Sequence, residues 1–434
     1  MKSLEIYGPA KISGSIVPGG NKNAALPIIA AALLTEEEVV IHNMPQIRDV
    51  NVMLELAQHA GAVVTRSGTD VTICAANIHT SVLPRETCAK VRGSILFAGS
   101  LTKRCGSSEI GLPGGDFIGK RRLDSHYYGL EKLGIKTSLS DGFAKFKQAK
   151  RAARTVDMFL DEASVTGTEQ ILIAAAGTGS CTTIIRNAAS EPHVQQLAEF
   201  LRLMGADIEG DDTNTLIVRG KTKLHGAEYT IDSDHIEIAS FLSLAAALRG
   251  GIEFEGKIRT HHYWMTRRVF ERFGIKFKLM KDHIIMPPNQ RLIVRQDAGN
   301  AIPVISDGPW PQFPSDMMSC LLVAATQAKG TTLFFEKMFE SRMYFVDRLI
   351  AMGANAIVCD PHRAVITGPA KLHGLEMASP DIRAGMALVI AACCAEGKSI
   401  VNNADMIYRG YENLVPKLCS IGVDVREIEK IEKI

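Results

Sequence analysis

The chain has 434 residues, of which 46% are hydrophobic and 22% charged, and its formal net charge is +2. A chain of this length exceeds one ordinary domain, so we expect two domains. The near-neutral charge gives no overall indication of a nucleic-acid groove or a polybasic membrane surface, so any anion binding must be local.

The N-terminal segment and the cysteines indicate a cytoplasmic protein. The first residues, MKSLEIYGPAK, lack an apolar signal core, and the longest apolar runs, 24–34 and 384–395, are shorter than the roughly 20 residues that span a bilayer. The nine cysteines include no C-x-x-C pair, and the twelve histidines include no H-E-x-x-H motif. We therefore expect no disulfide framework, no metal site and no membrane insertion.

Along the chain, an amphipathic helical pattern that ends in glycine and runs into a short apolar stretch occurs six times. A glycine just after a helix adopts left-handed backbone without a Cβ penalty. Each pattern therefore predicts an outer helix that is closed by glycine and followed by a strand. The six glycines are Gly61, Gly134, Gly205, Gly274, Gly353 and Gly422.

A second type of helical segment recurs in the same register and is apolar almost all round, which is typical of buried helices. These segments are 23–34, 92–101, 168–177, 237–248, 315–325 and 383–395. A signature, G-x-x-K-[I/L]-x-G, also recurs, at 8–14, 220–226 and 368–374. Six units of roughly 70 residues nearly exhaust the chain and predict an α/β fold with buried inner helices. Three units per lobe would give two similar lobes with a cleft between them, and a solenoid is the competing architecture.

Polar residues open the predicted inner helices. A helix N-terminus offers unpaired N–H groups and a partial positive charge of about half a unit, so it favours phosphates and carboxylates. Capping explains Ser164, Asp316 and Asp381 equally well. It does not explain cations, which oppose the helix dipole. The full set is Lys22, Asn23, Arg92, Ser164, Thr166, Thr168, Glu237, Asp316, Asp381 and Arg383.

The stretch GLPGGDFIGKRR, residues 111–122, sets one acid, Asp116, between glycines and cations. Its G-x-x-x-x-G-K match is followed by Arg121 instead of Ser or Thr, which excludes a phosphate loop of the Walker type. No G-x-G-x-x-G follows a predicted strand, so a nicotinamide enzyme has no support. The stretch is therefore either a functional loop or a solvated surface turn.

Eight segments resemble, in order, motifs of the UDP-N-acetylglucosamine enolpyruvyl transferase family, and they cover essentially the whole chain. They are KNAALP (22–27), VRGSI (91–95), LPGGDFIG with RRLD (112–124), ASVTGTE (163–169), FPSDMM (313–318), FESRM (339–343), DIRAG (381–385) and RGYEN (409–413). The resemblance implies a two-lobed inside-out α/β barrel of six βαβαββ-type repeats, three per lobe. One lobe would be residues 22–232, with the catalytic loop 111–122. The other would be residues 1–21 plus 233–434, with the general base.

The family transfers the enolpyruvyl group of phosphoenolpyruvate to the 3-hydroxyl of UDP-N-acetylglucosamine, the first committed step of peptidoglycan synthesis, without a metal or organic cofactor. The resemblance implies Asp316 as general base, Asp381 as its assistant, and Asp116 as the acid that protonates phosphoenolpyruvate. The cations it implies for phosphoenolpyruvate are Lys22, Arg92, Arg121 and Arg409. The remaining substrate-binding residues it implies are Asn23, Arg122, Leu123, Asp124, Ser164, Val165, Met338, Arg342 and Arg383. We expect no nucleic-acid partner, and a monomer or weak homo-oligomer.

Three residues depart from the common family pattern, which has Cys at Asp116, Arg at His235 and Lys at Glu162. A free Asp titrates near about 3.9 and a free thiol near about 8.5, so Asp116 is not a conservative replacement. Asp116 holds a proton at neutral pH only if burial beside the bound phosphate outweighs the neighbouring cations. A carboxylate is a weaker nucleophile than a thiolate, so we predict resistance to fosfomycin, the epoxide that alkylates the family's thiolate. His235 and Glu162 leave the diphosphate contacts open.

Two other functions stay open at this point. The chain could be an enolpyruvyl transferase for shikimate 3-phosphate or another nucleotide, although ASVTGTE and RRLD favour the UDP-sugar. It could also be a non-catalytic UDP-sugar-binding paralogue. The joint presence of Lys22, Asp316, Asp381, Arg342 and Arg409 argues against a silent protein.

Overall fold

The computed structural model describes residues 2–115, 122–149 and 153–429. These residues form two compact units. The first unit contains the described residues up to Gly19 and those from Ser233 onward. The second unit contains the described residues from Gly20 to Asp232. Each unit has its own buried hydrophobic core.

The described strands form six four-stranded sheets, three in each unit, with one common order. In every sheet the first two strands are parallel and the other two pairs are antiparallel. A parallel pair requires a crossover connection, usually a helix. The combination of such crossovers with antiparallel hairpins confirms the predicted α/β class.

The strands of the second unit, sheet by sheet and in spatial order, are Glu228–Thr230, Glu38–His42, Asp70–Cys74 and Val63–Ser67; Val82–Leu83, Ser107–Gly111, Phe143–Gln148 and Ile135–Ser140; and Thr155–Phe159, Thr182–Arg186, Thr215–Arg219 and Asp207–Glu209. Those of the first unit are Ser15–Ile16, Ile252–Glu255, His283–Met286 and Lys278–Met280; Val304–Ser306, Gly330–Phe335, Arg363–Gly368 and Asn355–Asp360; and Glu376–Ala378, Gly397–Asn402, Lys2–Gly8 and Asp424–Glu429. Two edge strands, Ser15–Ile16 and Glu228–Thr230, lie next to the points where the chain passes between the units.

The predicted apolar segments form six buried inner helices. Their small side chains let helices approach closely, and within each unit the three inner helices contact one another. They are Lys22–Ala32, Phe97–Cys105, Val165–Ala176, His235–Leu248, Ser315–Thr326 and Ile382–Cys394. The segment predicted as one helix from Arg92 begins instead with a 3₁₀ turn, Arg92–Leu96, before the α-helix.

The six outer helices each end before the predicted glycine. They are Arg48–Ala60, Asp124–Lys132, Pro192–Leu203, Trp264–Glu271, Val346–Ala351 and Leu414–Ser420. The six glycines have φ between 77° and 115°, which confirms the predicted left-handed closure. At Gly61 a side chain is excluded by space as well, because a Cβ would lie 2.3 Å from the carbonyl oxygen of Asn77. Shorter helical segments are Arg85–Cys88, Thr260–Tyr263, Ala298–Asn300 and Ala404–Ile407.

The repeated G-x-x-K-[I/L]-x-G signature has a packing role. A Cβ on Gly8 would lie 2.6 Å from the carbonyl oxygen of Ala395, so only glycine allows this approach. Two residues later, Ala10 N donates to the carbonyl oxygen of Cys393 at 2.9 Å. The signature thus supplies a hydrogen-bond donor to the carbonyl end of an inner helix, where the last carbonyls lack helical partners.

None of the helices in the described residues has the length and apolar character needed to cross a bilayer. Within the same residues, no group of three or more His, Cys, Asp or Glu side chains is arranged to hold a metal ion. All nine cysteines are free thiols.

Candidate active site

Asp316 lies in the first turn of the inner helix Ser315–Thr326, in the first unit. Arg342 Nη2 donates to Asp316 Oδ1 at 2.6 Å, and Arg383 Nε donates to Oδ2 at 3.2 Å. The side chain of Asp316 is 26% exposed, whereas those of Arg342 and Arg383 are 6% and 5% exposed. Burial acts to raise the pKa of Asp316, but the charges of Arg383 and Arg342 outweigh it and hold that pKa well below its usual range. We call these three residues the Asp316 cluster.

Some hydrogen-bond donors of the Asp316 cluster are unused among the described residues. Nε and Nη1 of Arg342 are buried and have no hydrogen-bond partner among the described residues. Its guanidinium lies 4.9 Å from the centroid of the Phe339 ring, and that of Arg383 lies 5.3 Å from the centroid of the Tyr411 ring. A buried donor without a partner costs about 1–3 kcal/mol, and a guanidinium binds carboxylates and phosphates through two parallel hydrogen bonds. The cluster is therefore suited to receiving an anion.

Asp381 serves as the N-cap of the neighbouring inner helix. Its Oδ1 accepts hydrogen bonds from Arg383 N at 2.8 Å and from Ala384 N at 2.9 Å. The capping interpretation of a polar helix start therefore holds here. Arg383 takes part in both contacts, since its backbone N–H donates to Asp381 and its side chain donates to Asp316. The cap therefore fixes the backbone position from which the Arg383 side chain reaches Asp316.

Arg409 and Met338 are the other predicted residues of the first unit. Arg409 is buried at 7% exposure, with Nη1 4.0 Å from Met406 Sδ. Met338 is 38% exposed, on the segment between the strand Gly330–Phe335 and Arg342. Direct hydrogen bonds join Asp316, Arg342 and Arg383, whereas Met338 offers an accessible apolar surface.

His235 opens the inner helix His235–Leu248 and is buried. Burial lowers its pKa to about 4. The charge of Arg383 also lowers this pKa, whereas the charge of Asp316 raises it. The imidazole is therefore neutral at pH 7. In the sequence, His235 stands out only as a departure from the family pattern. Its burial could have been predicted from the apolar helix that it begins.

Lys22 begins the first inner helix of the second unit. Its Nζ lies 2.7 Å from Asp49 Oδ2, and the two side chains are 10% and 4% exposed. The helix itself is capped by Asn21, whose side chain accepts a hydrogen bond from Ala24 N. The cation that opposes the helix dipole is thus balanced by Asp49, from the first turn of the outer helix Arg48–Ala60. Asn23 is half-buried beside Lys22.

Arg92 and the segment at 122–124 come together in the second unit. Arg92 Nη2 donates to the carbonyl oxygen of Arg122 at 3.0 Å. Leu123 is half-buried, and Asp124 is exposed at the start of the helix Asp124–Lys132. The predicted nucleotide residues in this segment therefore adjoin the predicted phosphoenolpyruvate residue Arg92.

His126, which sequence reasoning did not single out, lies beneath this segment. Its Nδ1 is 2.6 Å from Gln170 Oε1, and its Nε2 is 3.0 Å from Thr166 Oγ1. Burial lowers the pKa of His126 to about 4, and the charge of Arg92 lowers it further, against the hydrogen bond that Nδ1 donates to Gln170. This neutral imidazole links the outer helix to the inner helix Val165–Ala176.

Ser164 and Val165 form the start of that inner helix. Ser164 Oγ accepts a hydrogen bond from Gly167 N at 3.3 Å, so the serine is a cap, as the alternative interpretation predicts. Glu162 is exposed, and its Oε1 lies 3.4 Å from Ser125 Oγ. The helix N-terminus and its capping serine remain half-buried.

The loop 111–122 is described only at its ends. Asp116 and Arg121 lie outside the described residues. Two of its glycines are required by packing, because a Cβ on Gly114 would lie 1.8 Å from the carbonyl oxygen of Ala89, and one on Gly111 would lie 2.4 Å from Arg85 Cα. Close approach to the segment 85–89 therefore explains these two glycines.

Comparisons with known proteins find similar chains. A family model described as EPSP synthase (3-phosphoshikimate 1-carboxyvinyltransferase) matches residues 6–418. The UDP-N-acetylglucosamine 1-carboxyvinyltransferase of Bradyrhizobium diazoefficiens is 49% identical over 424 residues, which are 98% of this chain and 97% of that one. The enzyme of the same name from Borreliella burgdorferi is 47% identical over 429 residues, covering 99% and 100% of the two chains.

Solved structures show a similar fold. The enolpyruvyl transferase NikO from Streptomyces tendae has a TM-score of 0.87 at 24% identity, covering 99% of each chain. An EPSP synthase from Acinetobacter baumannii has a TM-score of 0.77 at 16% identity, covering 99% of this chain and 100% of that one. At these identities the likeness bears on the fold alone.

Proposed function

The chain belongs to the family of the UDP-N-acetylglucosamine 1-carboxyvinyltransferases, within the wider EPSP synthase family, and we propose that it carries out the reaction for which these relatives are named. The enolpyruvyl group of phosphoenolpyruvate passes to the 3-hydroxyl of UDP-N-acetylglucosamine, and phosphate leaves. The sugar hydroxyl loses a proton, and the methylene carbon of phosphoenolpyruvate gains one in the addition step. The elimination step removes a proton from that carbon as phosphate departs.

The Asp316 cluster is the observation that carries this proposal. A carboxylate in a helix first turn, flanked by buried guanidiniums with spare donors, combines a proton acceptor with an anion site. In the free protein the two arginines depress the basicity of Asp316. An anionic substrate that draws the guanidiniums toward itself raises that basicity when it binds. Asp316 then takes the hydroxyl proton as general base, and Asp381 assists by holding Arg383 through its cap.

The anions of phosphoenolpyruvate are assigned to four cations. Lys22, Arg92, Arg121 and Arg409 hold its carboxylate and phosphate, since ammonium and guanidinium groups suit both. The acceptor is assigned to Asn23, Arg122, Leu123, Asp124, Ser164, Val165, Met338, Arg342 and Arg383. The half-buried start of the helix Val165–Ala176 supports an anion contact there.

The acid is assigned to Asp116. A carboxyl group protonates the methylene carbon only if it is itself protonated, which requires a pKa well above the ordinary value of about 3.9. Burial beside the bound phosphate acts in that direction. Since a carboxylate is a weak nucleophile, fosfomycin should leave the enzyme active. Asp116→Cys should introduce time-dependent inactivation, and a mass adduct on the wild-type loop peptide would contradict this assignment.

We infer the finer architecture from the repetition. Three sheets per unit with one common strand order support six βαβαββ-type repeats and a two-lobed inside-out α/β barrel. The proposed lobes are residues 22–232 and residues 1–21 plus 233–434. The proposed enzyme is cytoplasmic and uses no organic cofactor.

One assay separates the candidate functions. Phosphate release from phosphoenolpyruvate is measured with UDP-N-acetylglucosamine, with shikimate 3-phosphate, and with no acceptor. We expect release only with the UDP-sugar. Release only with shikimate 3-phosphate would assign the rival acceptor, and binding of UDP-N-acetylglucosamine without release would assign a non-catalytic paralogue.

A further inference from the structure

Two buried carboxyl groups lie side by side near the Asp316 cluster, and the proposed reaction uses neither. Glu336 and Asp307 are both 0% exposed, and they directly follow Phe335 and Ser306, which are paired across two neighbouring parallel strands, so the two carboxyl groups adjoin. Lys337 N donates to Asp307 Oδ1 at 2.5 Å. The other oxygen, Asp307 Oδ2, is buried, and while both carboxyl groups are ionised it has no N–H or O–H donor among the described residues. Two carboxylates hydrogen-bond only if one is protonated, so a proton on Glu336 supplies the donor that Oδ2 lacks.

Glu336 connects the two segments that carry Asp316 and Arg342. Ser315, the residue before Asp316, donates its hydroxyl to Glu336 Oε1 at 2.8 Å. On the other side, Phe339 N donates to the same oxygen at 3.2 Å. One buried carboxyl group thus fixes the first turn of the Asp316 helix relative to the backbone that leads to Arg342.

We propose that Glu336 is a positioning residue for the transfer, and that the proton it shares with Asp307 keeps Arg342 on Asp316. This inference rests on the proposed function. With the proton in place, the carboxyl pair carries one negative charge and Arg342 binds Asp316. Without it, the pair carries two negative charges near the buried Nε and Nη1 of Arg342, which have no other partner among the described residues. The guanidinium is then drawn toward Glu336 and away from Asp316.

The groups that face Glu336 come from several elements. Asp307 approaches from the end of the strand Val304–Ser306, and Arg342 from the segment that follows Glu336. His362 Nδ1 lies 2.7 Å from the backbone oxygen of Glu336, and Lys337 directs its ammonium to a serine hydroxyl 3.1 Å away. Burial and the hydrogen bond that protonated Glu336 donates to Asp307 raise the pKa of Glu336 to about 8, against the charge of Arg342. The proton is therefore held at pH 7 and lost on the alkaline side.

The test is the pH profile of kcat for phosphate release with UDP-N-acetylglucosamine. In Glu336→Gln, the amide oxygen still accepts from Ser315 and the amide N–H still serves Asp307, but the side chain does not titrate. For wild type we expect kcat to fall near pH 8. For Glu336→Gln we expect kcat at pH 7 close to wild type, an unchanged KM, and no such fall. Asp307→Asn removes the carboxylate that stabilises the proton, so the fall should move to lower pH.

Glu169→Gln is the matched control. Glu169 is also a buried carboxyl group with a raised pKa, caused by burial and then by Glu191, but it lies in the second unit. Its variant should keep the wild-type alkaline fall. Retention of that fall in Glu336→Gln, or equal losses of kcat at every pH in the Glu336 and Asp307 variants, would overturn the proposal.

A second readout does not depend on turnover. The infrared carboxylic-acid band of the free protein should lose a component as the pH passes about 8, and that component should be absent from Glu336→Gln. An unchanged band would overturn the shared proton. A wild-type protein that shows this band but transfers no enolpyruvyl group would instead overturn the proposed function.

Discussion

Two inner-helix starts, one from each unit, differ in how their buried charge is paired. In the second unit, Lys22 Nζ lies 2.7 Å from Asp49 Oδ2, so one cation faces one carboxylate. In the first unit, Asp316 is shared by Arg342 and Arg383, and nitrogens of Arg342 are left without a partner among the described residues. A balanced buried pair chiefly holds two helices together, whereas an unbalanced cluster has the capacity to bind a further anion.

The largest expected effect is on the unbalanced cluster. Asp316→Asn keeps the shape of the side chain but removes the proton acceptor and the charge between the arginines. We expect kcat to fall by about 10²- to 10⁴-fold, the usual contribution of a general base. Binding of UDP-N-acetylglucosamine, measured by calorimetry, should be retained. Asp157→Asn, in an ion pair with Arg186 that is exposed on both sides, is the control and should leave kcat unchanged.

Breaking the balanced pair should act on stability first. Asp49→Asn leaves the Lys22 ammonium buried without its partner, which costs about 3–5 kcal/mol of the free energy of unfolding. Urea unfolding measures this loss. The double variant Lys22→Met with Asp49→Leu should recover stability but not activity. Recovery of both would remove Lys22 from the proposed site.

One buried histidine in each unit should make stability fall in acid. The folded pKa values of His126 and His235 are lowered to about 4, by burial first and then by Arg92 or Arg383. The unfolded chain takes up these protons near about pH 6.5, so the stability present above that pH is lost as the pH falls toward 4. Each histidine accounts for a loss on the order of 3 kcal/mol.

His126→Asn and His235→Asn should each flatten this acid-side loss, measured from urea midpoints at pH 7 and pH 4.5. His59→Asn, at an exposed position, should leave the slope unchanged. If the slopes of the two buried-site variants match wild type, the histidines are protonated in the folded protein.

The smallest effect is expected at an exposed ion cluster. His42 lies 3.0 Å from Asp70 and 2.9 Å from Glu228, whose hydrogen bonds raise its pKa. A raised pKa stabilises the fold at low pH, and this contribution is lost as the pH rises through the folded value. His42→Gln should remove less than about 1 kcal/mol, seen in thermal unfolding at pH 5.5 but not at pH 8.5. An equal loss at both pH values would indicate packing instead.

Regular features of the fold were predictable because each residue type there has one favourable environment. The all-round apolar segment 237–248 had to be buried, and the glycine after each outer helix marked its end. The structure departs from the prediction where tertiary contacts determine the local backbone, as in the 3₁₀ turn that begins at Arg92. The common strand order of the sheets depends on long-range pairing that no local pattern encodes.

The individual charges of the candidate site were predictable, but their partners were not. Lys22 and Asp316 stood out as charged residues at apolar helix starts. Asp49 reaches Lys22, Arg383 reaches Asp316, and Glu336 reaches the neighbouring Ser315. Each comes from another element, so these contacts follow only from packing. Two helix-start residues, Ser164 and Asp381, act as caps, and sequence alone does not distinguish a cap from a ligand.

Mass spectrometry of the nucleotide product tests the central claim most directly. The wild-type protein and Asp316→Asn are each incubated with phosphoenolpyruvate and UDP-N-acetylglucosamine. We predict that wild type converts the UDP-sugar to its enolpyruvyl ether with release of one phosphate, and that the variant leaves it unchanged over the same time. An unmodified UDP-sugar with wild type, or equal conversion by the variant, would contradict this account.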